Sequence, residues 1–184
     1  MNRREFTARV ALVALTLSGT VSAQPLRKIY RIGILGLGAT SDMAGPQPSW
    51  PSTKALLGGM RDLGYVYGEQ YVIEPRGASG NPDRYPALAA ELVQLKVDII
   101  LAGGGPSVPA LKQATTTIPI VMAASGDPVA DGYVQSLAHP GGNITGLSLQ
   151  STEATAKRLE LLKELVPGPA PVAVFWNGAS IQGR

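Results

Sequence analysis

Residues Ile118–Ser148, IPIVMAASGDPVADGYVQSLAHPGGNITGLS, decide how this chain folds. Pro119, Ile120, Val121 and Met122 form a short apolar run, the pattern of a parallel strand covered on both faces. Ser125, Gly126, Asp127 and Pro128 follow it, small and polar, at the strand's carboxyl end, where open α/β sheets place their ligands. A short amphipathic segment comes next. Pro140, Gly141, Gly142 and Asn143 then break any helix, and Ile144 to Leu149 is again β-rich, so the chain is expected to leave one lobe there.

Upstream, the same alternation of buried strand and covering helix recurs. Ile32–Leu35 reads as a first strand ending in Gly36, Leu37, Gly38, Ala39, Thr40 and Ser41. Gly36-x-Gly38 lacks the third glycine of a dinucleotide fingerprint, and Pro46, Pro48 and Pro51 delay the next helix too far to aim it at a pyrophosphate. Ser52 or Thr53 can cap a helix with Leu56, Leu57, Met60 and Leu63 on its apolar face and Gly64 as its stop. Gly58 and Gly59 each cost that helix about 1 kcal/mol, so close packing against the sheet is the expected compensation. Trp50, in the proline-rich loop before it, reads as a lid or packing residue.

Tyr71–Ile73 is a second strand, with Arg76 in the loop beyond it read as solvated. Asn81-Pro82 opens a helix that becomes regular near Tyr85, with Leu88, Leu92 and Leu95 as its stripe. Val97–Leu101 is a third strand. It ends in Gly103, Gly104, Gly105, Pro106 and Ser107, where helix begins at once. Glycines there let a ligand approach the backbone, and free N–H groups at a helix start attract carboxylate or phosphate. No Gly-Lys-Ser/Thr follows, so this is not a phosphate loop of the nucleotide-hydrolysing kind. Four strands from Ile32 to Met122 with intervening helices argue for a parallel sheet with right-handed crossovers.

The chain has 184 residues, 45% of them hydrophobic, enough for a real core but short for two complete α/β lobes. The absence of cysteine excludes a disulfide framework, a thiolate metal site and a lipidated N-terminal cysteine. Arg3 and Arg4, the apolar run Val10–Leu17 and the small residues Val21-Ser22-Ala23 read as a cleavable signal peptide over residues 1–23, directing the protein to the periplasm. Arg3-Arg4-Glu5-Phe6 also fits a twin-arginine signal. The run is too short for a stable membrane span, and none is expected in the mature chain. Without Arg3, Arg4, Arg9 and Glu5 the net charge falls from +3 to +1. No nucleic-acid partner is expected from such a balance.

Catalytic signatures are lacking. His139 is the only histidine and stands alone before Pro140 in a loop. Asp127 and Asp131 could pair as carboxylates, but Asp127 before Pro128 is also what a turn requires. No Gly-x-Ser-x-Gly elbow appears. No enzyme activity, cofactor or metal is expected. A secreted α/β enzyme and a periplasmic ligand sensor feeding a membrane receptor stand as alternatives to a binding protein.

An ordered series of short motifs carries a family resemblance: Gly64-Tyr65, Leu92-Val93, Val97-Asp98-Ile99-Ile100 and Ala114-Thr115-Thr116-Thr117-Ile118-Pro119-Ile120-Val121. It continues with Gly126-Asp127-Pro128-Val129, Pro140-Gly141-Gly142-Asn143-Ile144-Thr145-Gly146 and Lys157-Arg158-Leu159-Glu160-Leu161-Leu162-Lys163-Glu164-Leu165-Val166-Pro167. With these motifs the chain resembles the ABC transporter substrate-binding proteins whose relatives bind tryptophan or tyrosine.

The resemblance implies an α/β fold, a type I periplasmic-binding-protein-like parallel sheet with helices on both faces, its first lobe complete or nearly so and its second only begun. It implies a solute-binding component of an ABC importer, capturing a small molecule such as an amino acid between two lobes and delivering it to a permease in the inner membrane. The implied domains are an N-terminal lobe over residues 24–143, a hinge crossing over 144–150 and the start of a second lobe over 151–184. The implied ligand rim is Gly38, Thr40, Gly104, Gly105, Ser107, Ser125, Gly126 and Asp127. Ser107 and the helix start would take a carboxylate, and Asp127 would accept from an ammonium or orient its loop. After Trp176-Asn177 the chain departs from the family's pattern, reading Gly178 to Arg184, an ending like that of a truncated product. An exposed apolar patch on the helix and strand before it, with weak or no ligand capture, is the expected consequence.

Overall fold

A computed structural model of the chain describes residues 28–149, 151–166, 168, 171 and 173. The expected signal segment, residues 1–23, lies outside them, as does the run Val174–Arg184.

Five strands form one sheet: β1 (Tyr30–Gly36), β2 (Tyr71–Gly77), β3 (Ile99–Ala102), β4 (Ile120–Ser125) and β5 (Ile144–Ser148). Their order is β2-β1-β3-β4-β5, and every neighbouring pair is parallel. Ile32 pairs with Ile73 on one side and Ile99 on the other, while Ile120 pairs with Ile100 and Ile144. The order reverses between β1 and β3, which makes that junction the switch point of a doubly wound sheet.

Side chains alternate across each strand, so adjacent residues enter different cores. Leu35, Ile100, Ala102, Ile120, Met122 and Ile144 face the helices α3 (Tyr85–Gln94) and α4 (Val108–Ala114), meeting Leu88, Leu92, Val108 and Leu111. Gly33 lets α3 come close: a Cβ there would stand 3.1 Å from Leu92 and 3.2 Å from Val97. Ile34 and Ile73 face the other way, toward the short helix α1 (Thr40–Met43) and the longer α2 (Pro51–Asp62), where they meet Met43 and Leu57.

Several expectations are corrected by this arrangement. Helix α2 begins at Pro51 with Trp50 as its N-cap and no side-chain cap, so neither Ser52 nor Thr53 caps it. Leu63 is 75% exposed, outside the apolar face. Gly64 does stop the helix, with φ +84°. Gly58 and Gly59 have no atom within 4 Å of a Cβ placed on either, so sheet packing does not explain them. Arg76 is not free in solvent but pairs with Glu91 at 2.6 Å. The short amphipathic segment after Asp127 forms turns, with Tyr133 and Val134 buried against the α4 side.

Residues 144–148, expected to start a crossing between lobes, form the fifth strand. Gly146 permits this pairing, because at φ +140° its missing Cβ would stand 2.3 Å from the Met122 carbonyl. A fifth helix, α5 (Ser151–Leu165), follows, and its Leu159, Leu161, Leu162 and Leu165 are exposed. Among the described residues no helix is long and apolar enough to cross a membrane.

At the amino end of the sheet, Asp98 ties two segments together. Its carboxylate accepts from the Lys28 ammonium and from the Arg31 backbone N–H at 2.8 Å. The Lys28 hydrogen bond first, then that of Arg31, holds its pKa below the ordinary carboxylate value.

Candidate functional site

Three loops meet at the carboxyl ends of β1, β3 and β4, and each is pinned by its own hydrogen bonds. After β1, the Thr40 hydroxyl accepts from the Gly77 backbone N–H at 2.8 Å. A Cβ on Gly77 would stand 2.3 Å from the Gly38 carbonyl oxygen, so only glycine allows β2 to end under this loop. Gly38 in turn is covered by the Trp50 ring, 2.7 Å from where its Cβ would be. Trp50 is thus a packing residue of the loop, partly buried against the α2 side of the sheet.

After β3, Gly103 donates its backbone N–H to the Leu35 carbonyl at 2.8 Å. A tight turn over Gly105–Ser107 leads into α4. Ser107 is 1% exposed, and both its hydroxyl (2.7 Å) and its backbone N–H (3.1 Å) donate to the Gly104 carbonyl. The residue read as a carboxylate donor therefore has its hydroxyl engaged in shaping the glycine turn.

After β4, the Asp127 carboxylate accepts from the backbone N–H groups of Val129 (3.2 Å) and Ala130 (3.0 Å), which is the turn-forming use of an aspartate. Burial, and then the charge of Asp127, push the carboxyl of Asp131 above its ordinary value. Gly126 is buried, and its carbonyl accepts from the Ser148 hydroxyl at 3.5 Å. Ser125 is 1% exposed, and its hydroxyl has no hydrogen-bond partner. It lies beneath the glycine turn, 3.8 Å from where a Cβ on Gly105 would stand. A buried hydroxyl without a partner costs free energy of order 1–3 kcal/mol, so this atom stands out from the satisfied polar groups around it.

The structure brings all eight sequence-derived positions to the carboxyl end of the sheet. The side chains of Thr40, Ser107 and Asp127 bond backbone, Gly38 is covered by Trp50, the Gly126 carbonyl accepts from Ser148, and Gly104 and Gly105 form the turn above the buried Ser125 hydroxyl. Sequence reasoning missed what adjoins them. A recess of about 340 Å³ opens on the α2 side of the same strand ends, walled by Trp50, Leu56, Leu101, Val121 and Leu147, with Gly36 and Gly103 at its floor. These residues are far apart in the chain, and no local pattern joins them. Among the described residues no group of three or more His, Cys, Asp or Glu is placed to hold a metal ion. His139 is exposed in its loop, with its backbone bonded to Ser136.

Comparison with known proteins gives this geometry a context. Residues 50–181 match the family model of the ABC transporter substrate binding proteins. A tyrosine-binding protein of Clostridioides difficile is 34% identical over 131 residues, which cover 71% of this chain and 37% of that protein. A conserved domain protein of Vibrio cholerae aligns with TM-score 0.61 and 29% identity over 77% of this chain and 45% of its own. A Streptococcus ABC domain solved in complex with L-Trp aligns with TM-score 0.55 and 26% identity, over 66% of this chain and 39% of its own. The chain spans less than half the length of these relatives. Its sheet is the one-lobe, five-stranded parallel sheet of type I periplasmic binding proteins. The chain belongs to the ABC transporter substrate binding protein family.

Proposed function

We propose that this member of the family is the solute-binding component of an ABC importer, taking up a small amino-acid-like molecule outside the cytoplasm and handing it to a membrane permease. The observation that carries the reading is the junction at the switch point, where a polar rim and an apolar recess share the same strand ends. Gly104 and Gly105 would offer backbone, and the unpartnered Ser125 hydroxyl would donate to a ligand carboxylate or accept from its ammonium. Gly38, Thr40, Ser107, Gly126 and Asp127 would hold the loops around it in shape. The recess beneath Trp50 would receive an apolar side chain. The tyrosine-binding relative and the L-Trp complex support an aromatic amino acid as the ligand class.

In this reading residues 1–23 export the chain to the periplasm, residues 24–143 make one jaw, and the stretch 144–150, which starts as the edge strand β5 of that jaw's sheet, leads to a second lobe that begins at 151. A ligand touching both jaws would favour the closed arrangement by the difference in its contacts with the two states. The protein would act by binding and release, without turnover.

A thermal-shift series tests this, because a ligand that binds only the folded chain must raise its melting temperature by mass action. L-Tyr or L-Trp is expected to raise the midpoint where L-Ala does not. Ser125→Ala is expected to weaken the tighter of the two about tenfold, as loss of one hydrogen bond to a charged group should. No shift with any aromatic amino acid, or a shift that Ser125→Ala leaves unchanged, refutes the site as drawn.

A further inference from the structure

A second concavity lies away from the switch point, on the flank of α2 beside the edge strand β2. It is a groove of about 800 Å³ bounded by Lys54, Gly58, Arg61, Tyr65, Tyr67 and Tyr71. Pro46 and Pro48 also line it. Lys54, Gly58 and Arg61 follow one another at i, i+4 and i+7, so they form a single stripe of the helix, with the two cations about 10 Å apart.

Three features of this stripe oppose the local rules for a helix. Lys54 lies in the first turn, where the helix dipole disfavours a cation, and no acidic residue shares that turn. Neither Lys54 nor Arg61 has an ion-pair partner among the described residues. Gly58 gives up helix propensity without allowing any close contact, since no atom lies within 4 Å of its absent Cβ. What Gly58 does leave is the open floor between the two cations. Departures from local preference without a packing gain are expected at functional sites.

The walls suit a chain rather than a compact solute. Tyr67 and Tyr71 meet edge to face with ring centroids 5.6 Å apart, and Tyr65 is 47% exposed at the rim. Arg61 and the exposed Tyr65 both line the groove, so positive charge and aromatic surface face the same space. Aromatic-lined grooves hold extended proline-rich peptides well, because such segments are preformed and lose little entropy on binding. An extended chain advances about 3.3 Å per residue, so carboxylates three residues apart match the separation of Lys54 and Arg61.

We propose that this groove is a docking site for an extended acidic peptide segment of a partner protein, with acidic side chains on Lys54 and Arg61 and the intervening backbone across Gly58 and the tyrosines. It is separate from the solute site and does not depend on the identity of the solute.

Calorimetric titration of the full chain tests the proposal with a synthetic peptide carrying glutamate at every third position and proline between. The control peptide has glutamine in place of glutamate. The acidic peptide is expected to bind at least tenfold more tightly than the control, and to weaken as salt is raised. Lys54→Glu and Gly58→Leu are each expected to lower its affinity tenfold or more. Gly58→Leu should leave the melting temperature unchanged or higher, since leucine is the better helix former. If that variant fails to fold, Lys54→Glu and Arg61→Gln give the same readout. Equal binding of the two peptides, or full affinity in the folded variants, overturns the proposal. A free long-chain dicarboxylate binding as tightly as the acidic peptide also overturns it, in favour of a small-molecule anion site.

Discussion

The two faces of the one sheet are finished to different degrees. On the side of α3 and α4, Leu35, Ile100, Ile120 and Met122 are at most 2% exposed, and helices or the Tyr133–Val134 turn lie over every strand from β1 to β5. On the side of α2, the buried cluster holds only Ile34, Met43, Leu57, Tyr71 and Ile73, which lie over β1 and β2. Over β3, β4 and β5 that face holds Leu101 and Val121, half-buried, and Leu147, 68% exposed, and these residues wall the recess. A parallel sheet is ordinarily covered on both faces. The closed face makes the chain a folded unit, while the open one leaves apolar surface beside the loops that form the rim.

Adjacent residues of β3 put this contrast to its strongest test. Ile100→Ala, on the closed face, should cost about 3–4 kcal/mol, because a cavity remains where neighbours cannot collapse. Leu101→Ala, one residue on, should cost roughly 1 kcal/mol, since the side chain is already partly in water. Urea unfolding of both variants measures the difference, and equal losses would show that the recess side is as closely packed as the other. Leu147→Ser should change stability by less than about 0.5 kcal/mol while reducing binding of an apolar fluorescent dye. Destabilisation as large as that of Ile100→Ala would mean that this surface is covered.

The smallest effect belongs to the amino edge. The folded pKa of Asp98 is depressed, so its contribution is present above the unfolded carboxylate value and is lost as pH falls through the folded one. Asp98→Asn should lower the melting temperature by a few degrees near neutral pH. The gap to the unchanged chain should close as the solution is acidified below the ordinary carboxylate range. A gap that persists at low pH would assign the effect to packing rather than charge. The Lys28 side chain is 63% exposed, so solvent screens its hydrogen bond and keeps the effect small.

The local patterns made some of this legible. Runs such as Ile32–Leu35 and Pro119–Met122 could be read as buried strands because a strand covered on both faces needs apolar residues without alternation. Loop positions at strand ends followed from the same alternation of elements, and all eight rim positions lie at the carboxyl end. Their separate tasks were not legible. Whether Thr40 and Ser107 face a ligand or bond the backbone depends on partners 37 and three residues away, whose geometry composition does not report. Residues 144–149 read as β-rich, but the place of Gly146 within the strand was not legible, since the close approach of Met122 is what requires glycine there. Gly58 and Gly59 suggested close packing for the same kind of reason, and there the space is empty.

By itself, the sequence determined the class of fold, the order of its strands and helices, and the family, because these depend on apolar periodicity, turn residues and short motifs that act over a few neighbours. Tertiary structure alone decided the rest: which face is left open, that Trp50 covers Gly38, that Ser125 keeps a buried hydroxyl without a partner, and that Lys54 and Arg61 face an empty groove. Those features depend on where distant segments meet, and the burial and pairing of a group are set by all the atoms that surround it in space rather than by its neighbours along the chain.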